Sequence, residues 1–337
     1  MSKKTSIGGQ ALIEGIMMKG PYKTTMAVRK PDGSIDLSNV PEKHLREKYK
    51  FFGLPLVRGM VNLIESMISG YKALMKSADI SGFTDLEDEP KVVEPADMSA
   101  EAKTEPEHET EGKLKETKKE NGVLSGVIMV IGTVLGVALA VALFFVLPSL
   151  IFKGIDWLVP ADLKNFRGLI EGLVKIVIFI CYIALVSLEK DIKRVFMYHG
   201  AEHKTIFCYE SGEELTVENV RKFKRFHPRC GTLFMFLMIV VGIVLGTVLT
   251  FALPDVITDN NLLWLPIKIL LVPLTCGIGY ELIKVCGKHD NAVTRFIAAP
   301  GLWVQRLTTK EPEDSMIEIA IAAVNEVIPS DGTDEIK

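Results

Sequence analysis

Apolar positions in this chain are gathered into long runs. Residues 121–152 carry no charged side chain. Their core, VLSGVIMVIGTVLGVALAVALFFVL, exceeds the roughly 20 apolar residues that cross a bilayer. Residues 231–254 form a second uncharged run, GTLFMFLMIVVGIVLGTVLTFALP. Between them, residues 169–188 are apolar apart from Glu171 and Lys175 near one end. A fourth run, residues 262–282, holds only Lys268 and Glu281. The pattern predicts four transmembrane helices.

Shorter patterns occupy the remainder. KTTMAVRK and SIDL flank Pro31-Asp32-Gly33, which predicts two strands around a turn. The preceding SIGGQALIEGIMMKGP reads as a strand or tight loop packed against something. Residues 51–77 have helical period, with Met60, Ile64, Met67, Ile68, Tyr71, Leu74 and Met75 on one face. This helix is too polar to span. It either packs in a core or lies along the inner leaflet. TIFCYE-SGE-ELTVE predicts a hairpin, followed by a helix capped by Thr216 and running to about Phe226. After the fourth run come an amphipathic stretch around Trp303 and a short helix over 315–327, capped by Asp314 or Ser315.

Charge orients these elements. Residues 189–230 hold nine Lys or Arg, whereas residues 255–261 hold none. The positive-inside rule therefore places that segment and both termini in the cytoplasm. Residues 81–121 contain 13 acidic residues against 6 Lys. So acidic a tract cannot bury enough apolar surface to offset its ordering entropy, which predicts a disordered linker. The net charge of −3 gives no general attraction to nucleic acid, and five scattered cysteines are too few for a disulfide framework. No signal-peptide pattern opens the chain.

The expected architecture is a mainly α membrane protein. A cytoplasmic N-terminal α+β arm (1–80) leads through the acidic linker (81–121) to transmembrane helices 1 and 2 (122–188). A cytoplasmic insert (189–230) precedes transmembrane helices 3 and 4 (231–282), and cytoplasmic amphipathic helices (283–337) follow. The lipid bilayer is the expected partner. No protein partner or substrate is named by the pattern.

Candidate chemistry is concentrated in the insert. Three of the six histidines lie there. His199 and His203 stand in H-x-x-E-H, so a helix places both imidazoles on one face, able to bind one zinc ion. Glu202 is then the candidate general base of a hydrolysis. His227 and Cys230, in H-x-x-C spacing, are candidate third and fourth ligands of this divalent metal. Four protein ligands would make a closed, structural site, and three would leave room for catalysis. Glu210, Glu213 and Glu214 offer a downstream carboxylate ligand, as in reversed zincins, but their place in the turn reads as solvated charge; Cys208 could coordinate too, but reads as a buried thiol. A rival reading makes the cluster a structural feature of a scaffold, assembly factor or transport accessory. A third makes Glu171, Lys175 and Lys268 the working groups of a carrier.

His199-Gly-Ala-Glu-His-Lys204, His227-Pro-Arg-Cys-Gly-Thr232, GGQALIEGIMMKGP from Gly8 and PGLWVQRLTTKEP from Pro300 together resemble the YqhQ-like bacterial membrane proteins. The likeness covers nearly the whole chain outside the acidic tract. It implies a multi-pass plasma-membrane protein of a kind often described as metal-dependent enzymes. Unlike soluble reversed zincins, this chain shows no large catalytic domain around H-x-x-E-H.

Overall fold

The computed structural model describes residues 4–41, 49–83, 131–160 and 162–336. The acidic tract, but for its first three residues, and the start of the first apolar run lie outside them.

Four strands form an antiparallel meander: β1 (Gly8–Leu12), β2 (Gly15–Lys19), β3 (Thr24–Arg29) and β4 (Ile35–Asn39). The sequence left the first strand region open. It is a hairpin in which Leu12 pairs with Gly15 across Ile13-Glu14. β2 and β3 are buried on both faces, which explains their unbroken apolar runs. Ile16, Met18 and Ala27 face one core, and Leu12, Met17, Met26 and Val28 face another. Gly33, at φ 83°, closes the β3–β4 turn where Pro31-Asp32-Gly33 predicted it.

Helix α1 (Val57–Ile80) covers the second core with Ala73, Leu74 and Ile80. The apolar runs become α2 (Ile131–Leu158), α3 (Arg167–Val186), α6 (Gly231–Ala252) and a fourth length, Asn261–Lys288. Each of the four is long and apolar enough to cross a membrane. The fourth consists of α8 (Asn261–Leu270) and α9 (Val272–Lys288), with a short α7 (Asp255–Thr258) before it. α6 is the central stave, in contact with α3, α9 and α10 (Ala292–Thr308). Gly168 and Gly172 of α3 let its backbone approach Gly246, Thr247 and Ile243 of α6, the close small-residue packing of membrane helices.

Between α3 and α6 lie α4 (Lys190–Ser211) and α5 (Val217–Arg221). α11 (Asp314–Val327) crosses the first face of the sheet beside α4. The last residues return to the first: Thr5 bridges Glu335, and its hydroxyl donates to Asp334 at 2.6 Å.

Three local expectations are corrected. The hairpin over residues 205–218 is absent, because α4 continues as helix to Ser211. Thr205, Ile206 and Cys208 are buried there, and tertiary packing overrides their strand preference. Gly212, at φ 78°, is the left-handed stop of that helix. Thr216 does cap the next helix, accepting from the Asn219 N–H, but that helix ends at Arg221. The N-cap of α11 is Glu313, with no side-chain cap bond.

Within the spans, Glu171 and Lys268 pair at 2.9 Å, and Arg167 reaches the same carboxylate at 2.9 Å. Ser149 donates to Glu171 at 2.9 Å. All four side chains are buried. Lys175 stands apart, its ammonium 5.0 Å from the centre of the Phe145 ring. A charge pair in an apolar bundle joins helices because neither partner has water as an alternative.

Candidate metal centre

α3 ends at Val186, and after a turn α4 begins, with Glu189 as its N-cap. His199 and His203 lie one turn apart on α4, their ring centres 4.4 Å apart. Gly200, between them, admits the chain at Lys310, whose carbonyl oxygen occupies the space a Cβ would need. Cys230 arrives from another direction, as the N-cap of α6. Its sulfur lies 3.2 Å from His199 Nε2, and its partners are the Thr232 hydroxyl at 2.9 Å and the Thr232 N–H at 3.5 Å.

The ligand atoms of His199, His203 and Cys230 all lie within 4.8 Å of one another. Both rings are oriented from behind. His199 Nδ1 is 2.9 Å from the Thr308 carbonyl oxygen, and His203 Nδ1 is 2.5 Å from that of Arg225. A carbonyl can only accept, so Nδ1 carries the proton and Nε2 presents its lone pair. This is the outer-shell arrangement that metal-binding histidines use. Tetrahedral zinc bonds nitrogen at about 2.0–2.1 Å and sulfur at about 2.3 Å, which sets ligand atoms roughly 3.5 Å apart. The His199 Nε2–Cys230 Sγ separation of 3.2 Å is close to that spacing, and the full spread of up to 4.8 Å would have to tighten by about an ångström around an ion; the donor types, two imidazoles and a thiol, suit a borderline-soft divalent metal.

His227, the remaining candidate ligand, lies outside the group formed by His199, His203 and Cys230. His227 Nε2 is 3.8 Å from Glu210 Oε2, and Nδ1 accepts from the Arg229 N–H at 3.3 Å. Burial pushes its pKa down to about 4, against the opposing pull of Glu210. Its ring centre is 5.5 Å from that of His203, and Gln305 clamps its backbone at both N–H and C=O.

Glu202, the predicted base, is buried beside His199 on α4. One carboxylate oxygen accepts from the Gly9 N–H at 3.0 Å, and the other has no hydrogen-bond partner. Burial raises its pKa, opposed by His199 and the Gly9 N–H. Gly9 has to be glycine: a Cβ there would lie 3.1 Å from the Glu202 carboxyl carbon and closer still to Met17 and Met18.

Glu210 corrects an expectation. It is buried rather than solvated, accepts from the Thr5 N–H at 2.8 Å and pairs with Arg229. Arg229 and His227 outweigh the upward push of burial and lower its pKa. The signal was present, since residue 210 is seven beyond His203 and shares its helix face, but the expected hairpin hid it. Glu213 and Glu214 are exposed as expected, and Cys208 is a buried thiol whose pKa burial pushes up to about 11. Gln305 and the carbonyls of Arg225 and Thr308 carried no sequence signal. A cleft of about 440 Å³ opens beside this network, lined by Lys4, Phe207, Glu210, His227 and Arg229 among others.

Among the described residues, fold and site together define a helical protein with four membrane-length apolar helices and a largely buried His–His–Cys group at one end of the bundle. The chain belongs to the family described as protein of unknown function DUF1385, whose model matches residues 54–330. It is 34% identical over 334 residues to a protein of Bacillus subtilis (strain 168) described as "Uncharacterized protein YqhQ". That match covers 95% of this chain and 92% of the relative. No solved structure matches.

Proposed function

We propose that this chain is a multi-pass plasma-membrane metalloprotein, with its sheet, α4, α11 and both termini in the cytoplasm. His199, His203 and Cys230 hold one divalent ion, zinc by the chemistry of two imidazoles and a thiol. The carrying observation is the pair of Nδ1–carbonyl contacts, which leaves Nε2 of each ring as the atom available to a metal, with His199 Nε2 already 3.2 Å from the Cys230 sulfur. Three protein ligands leave a coordination position open, the arrangement of hydrolytic rather than structural zinc. The ion would supply Lewis-acid chemistry there. Glu202, buried and with one oxygen unpartnered, is the group to accept or return a proton. The reading is a metal-dependent hydrolase at the inner membrane surface.

A second reading rests on burial. His203 is 1% and Cys230 7% exposed, and the cluster ties together α4, α6, α10 and the segment before Cys230. An ion there, or the hydrogen bonds alone, would then hold a membrane scaffold together.

Elemental analysis of the detergent-purified protein beside His203→Ala and Cys230→Ser comes first. About one zinc per chain, reduced in both variants while Cys230→Ser still elutes as a folded species, supports the metal centre. No metal after reconstitution with zinc, manganese and iron overturns it. Glu202→Gln then separates the readings, because a hydrolase loses activity with metal retained and a scaffold does not change.

A further inference from the structure

Helix α1 is built inside out for a water-soluble surface. The residues it turns inward are mostly small: Gly59, Gly70, Ala73, Ser77 and Ala78. Its outward stripe is large and apolar. Ile64, Met67, Ile68, Tyr71 and Met75 follow helical spacing, and Met67 is 65% exposed. Phe51, Leu54 and Leu56, just before the helix, are exposed as well. Small residues against protein and large apolar residues outward is how helices in lipid are made. Soluble surfaces seldom carry so continuous an apolar patch.

The docking of α1 says what covers the stripe. The Leu56 carbonyl oxygen lies against Gly277 of α9, only 2.5 Å from where a Cβ would stand. Gly59 rests on Cys276, Gly277 and Tyr280, and Arg58 forks onto Glu281, with Nε at 2.6 Å. Gly277 precedes the end of α9 at Lys288 by eleven residues, about 16 Å along the axis. It lies inside the fourth membrane-length segment. The first turns of α1 are therefore at bilayer depth. The far end packs on the sheet, with Gly70 against Gln10 and Ala73 among Leu12, Met17 and Met26.

We propose that residues 51–75 are a half-inserted element embedded in the leaflet that borders the sheet. Phe51, Leu54 and Leu56 reach the acyl chains, and the stripe from Ile64 to Met75 lies at the boundary of acyl chains and headgroups. Lys72 and Lys76, exposed beside the stripe, reach the headgroup phosphates. Because β1 packs on α1 and the Gly9 N–H holds Glu202, this element also fixes the height of the candidate metal centre above the bilayer.

The test uses the full chain in vesicles of phosphatidylethanolamine and phosphatidylglycerol, with a phospholipid carrying a diazirine in its acyl chain. After irradiation, peptides are mapped for lipid adducts, and a parallel sample is exposed to a water-borne oxidant. Met235, 42% exposed on α6, is the lipid-facing reference, and Tyr22, 68% exposed beside the sheet, the water-facing one. The expected result is adducts over 51–75 comparable to those around Met235, with Met67 and Met75 protected from oxidant as Met235 is. Oxidation of Met67 and Met75 much faster than that of Met235, without adducts, overturns the proposal. Protection without adducts also overturns it, since the stripe is then covered by protein, such as a second copy of this chain.

Discussion

At the scale of single residues, geometry reverses what propensity alone dictates. Replacing a helical glycine by alanine ordinarily stabilises by about 1 kcal/mol. At Gly200 the new methyl would meet the Lys310 carbonyl oxygen, so overpacking of about 1–3 kcal/mol decides the sign. Gly200→Ala is expected to lower the melting temperature and weaken metal retention, measurable by thermal unfolding and elemental analysis. Glu14 offers a pH test. Burial alone would raise its pKa, but the Arg194 guanidinium and Tyr198 hydroxyl outweigh it and hold the carboxyl below its ordinary 4.5. A carboxylate depressed on folding stabilises the fold above its unfolded pKa, and that gain is lost as pH falls through the folded value. Glu14→Gln should therefore cost stability at neutral pH, and the difference from wild type should vanish in acid below that window. Melting curves taken stepwise from pH 7 down through the acid range check it, the gap between the two proteins closing as the pH falls.

Among elements, the buried charges of the bundle behave as a lock between helices. Glu171 on α3 meets Lys268 on α8, Ser149 on α2 and Arg167 one turn earlier on α3. Glu171→Gln leaves two buried cations without their carboxylate, a change that costs about 3–5 kcal/mol when one partner of a buried pair is removed. The expected outcome is a large loss of thermal stability in detergent, with less loss in a Glu171→Gln, Lys268→Met double variant. Losses in Glu171→Gln and in Lys268→Met that simply add in the double variant would show that the pair is not coupled. The sequence marks Glu171 and Lys268 as charges within apolar runs, whereas their pairing and the neighbourhoods of Arg167 and Trp264 needed the packed helices. The reverse holds for α4. Its histidine spacing was legible, but its length was not, because Thr205, Ile206, Phe207 and Tyr209 have strand propensity, and the packing of Ile206, Cys208 and Tyr209 in the core shared with the sheet and α11 overrides it.

For the whole molecule, the readable quantity is topology. If residues 189–230 and both termini are cytoplasmic, the two short connections lie outside. A single cysteine introduced at Asn260, in the connection before α8, should react with a membrane-impermeant maleimide added to intact cells. One at Glu326 of α11 should react only after lysis. Reaction of both from outside would refute the orientation.

The four apolar runs, the Pro31-Asp32-Gly33 turn and the spacing of His199 and His203 were determined by sequence alone. Each is a local property: hydrophobic length, backbone freedom at one glycine, and the pitch of one helix. Only the tertiary structure decided which residues share a site. Cys230 joins the histidines because α6 begins beside α4, and His227 turns instead to Glu210 and Arg229. The carbonyls of Thr308 and Arg225 that orient the rings belong to segments distant in the chain, and a backbone carbonyl leaves no trace in residue identity. The outward face of α1 was likewise decided by packing. Periodicity located its apolar stripe but could not say that the small residues opposite would claim the protein side, since close approach at Gly59, Gly70 and Gly277 outweighs the burial of larger side chains.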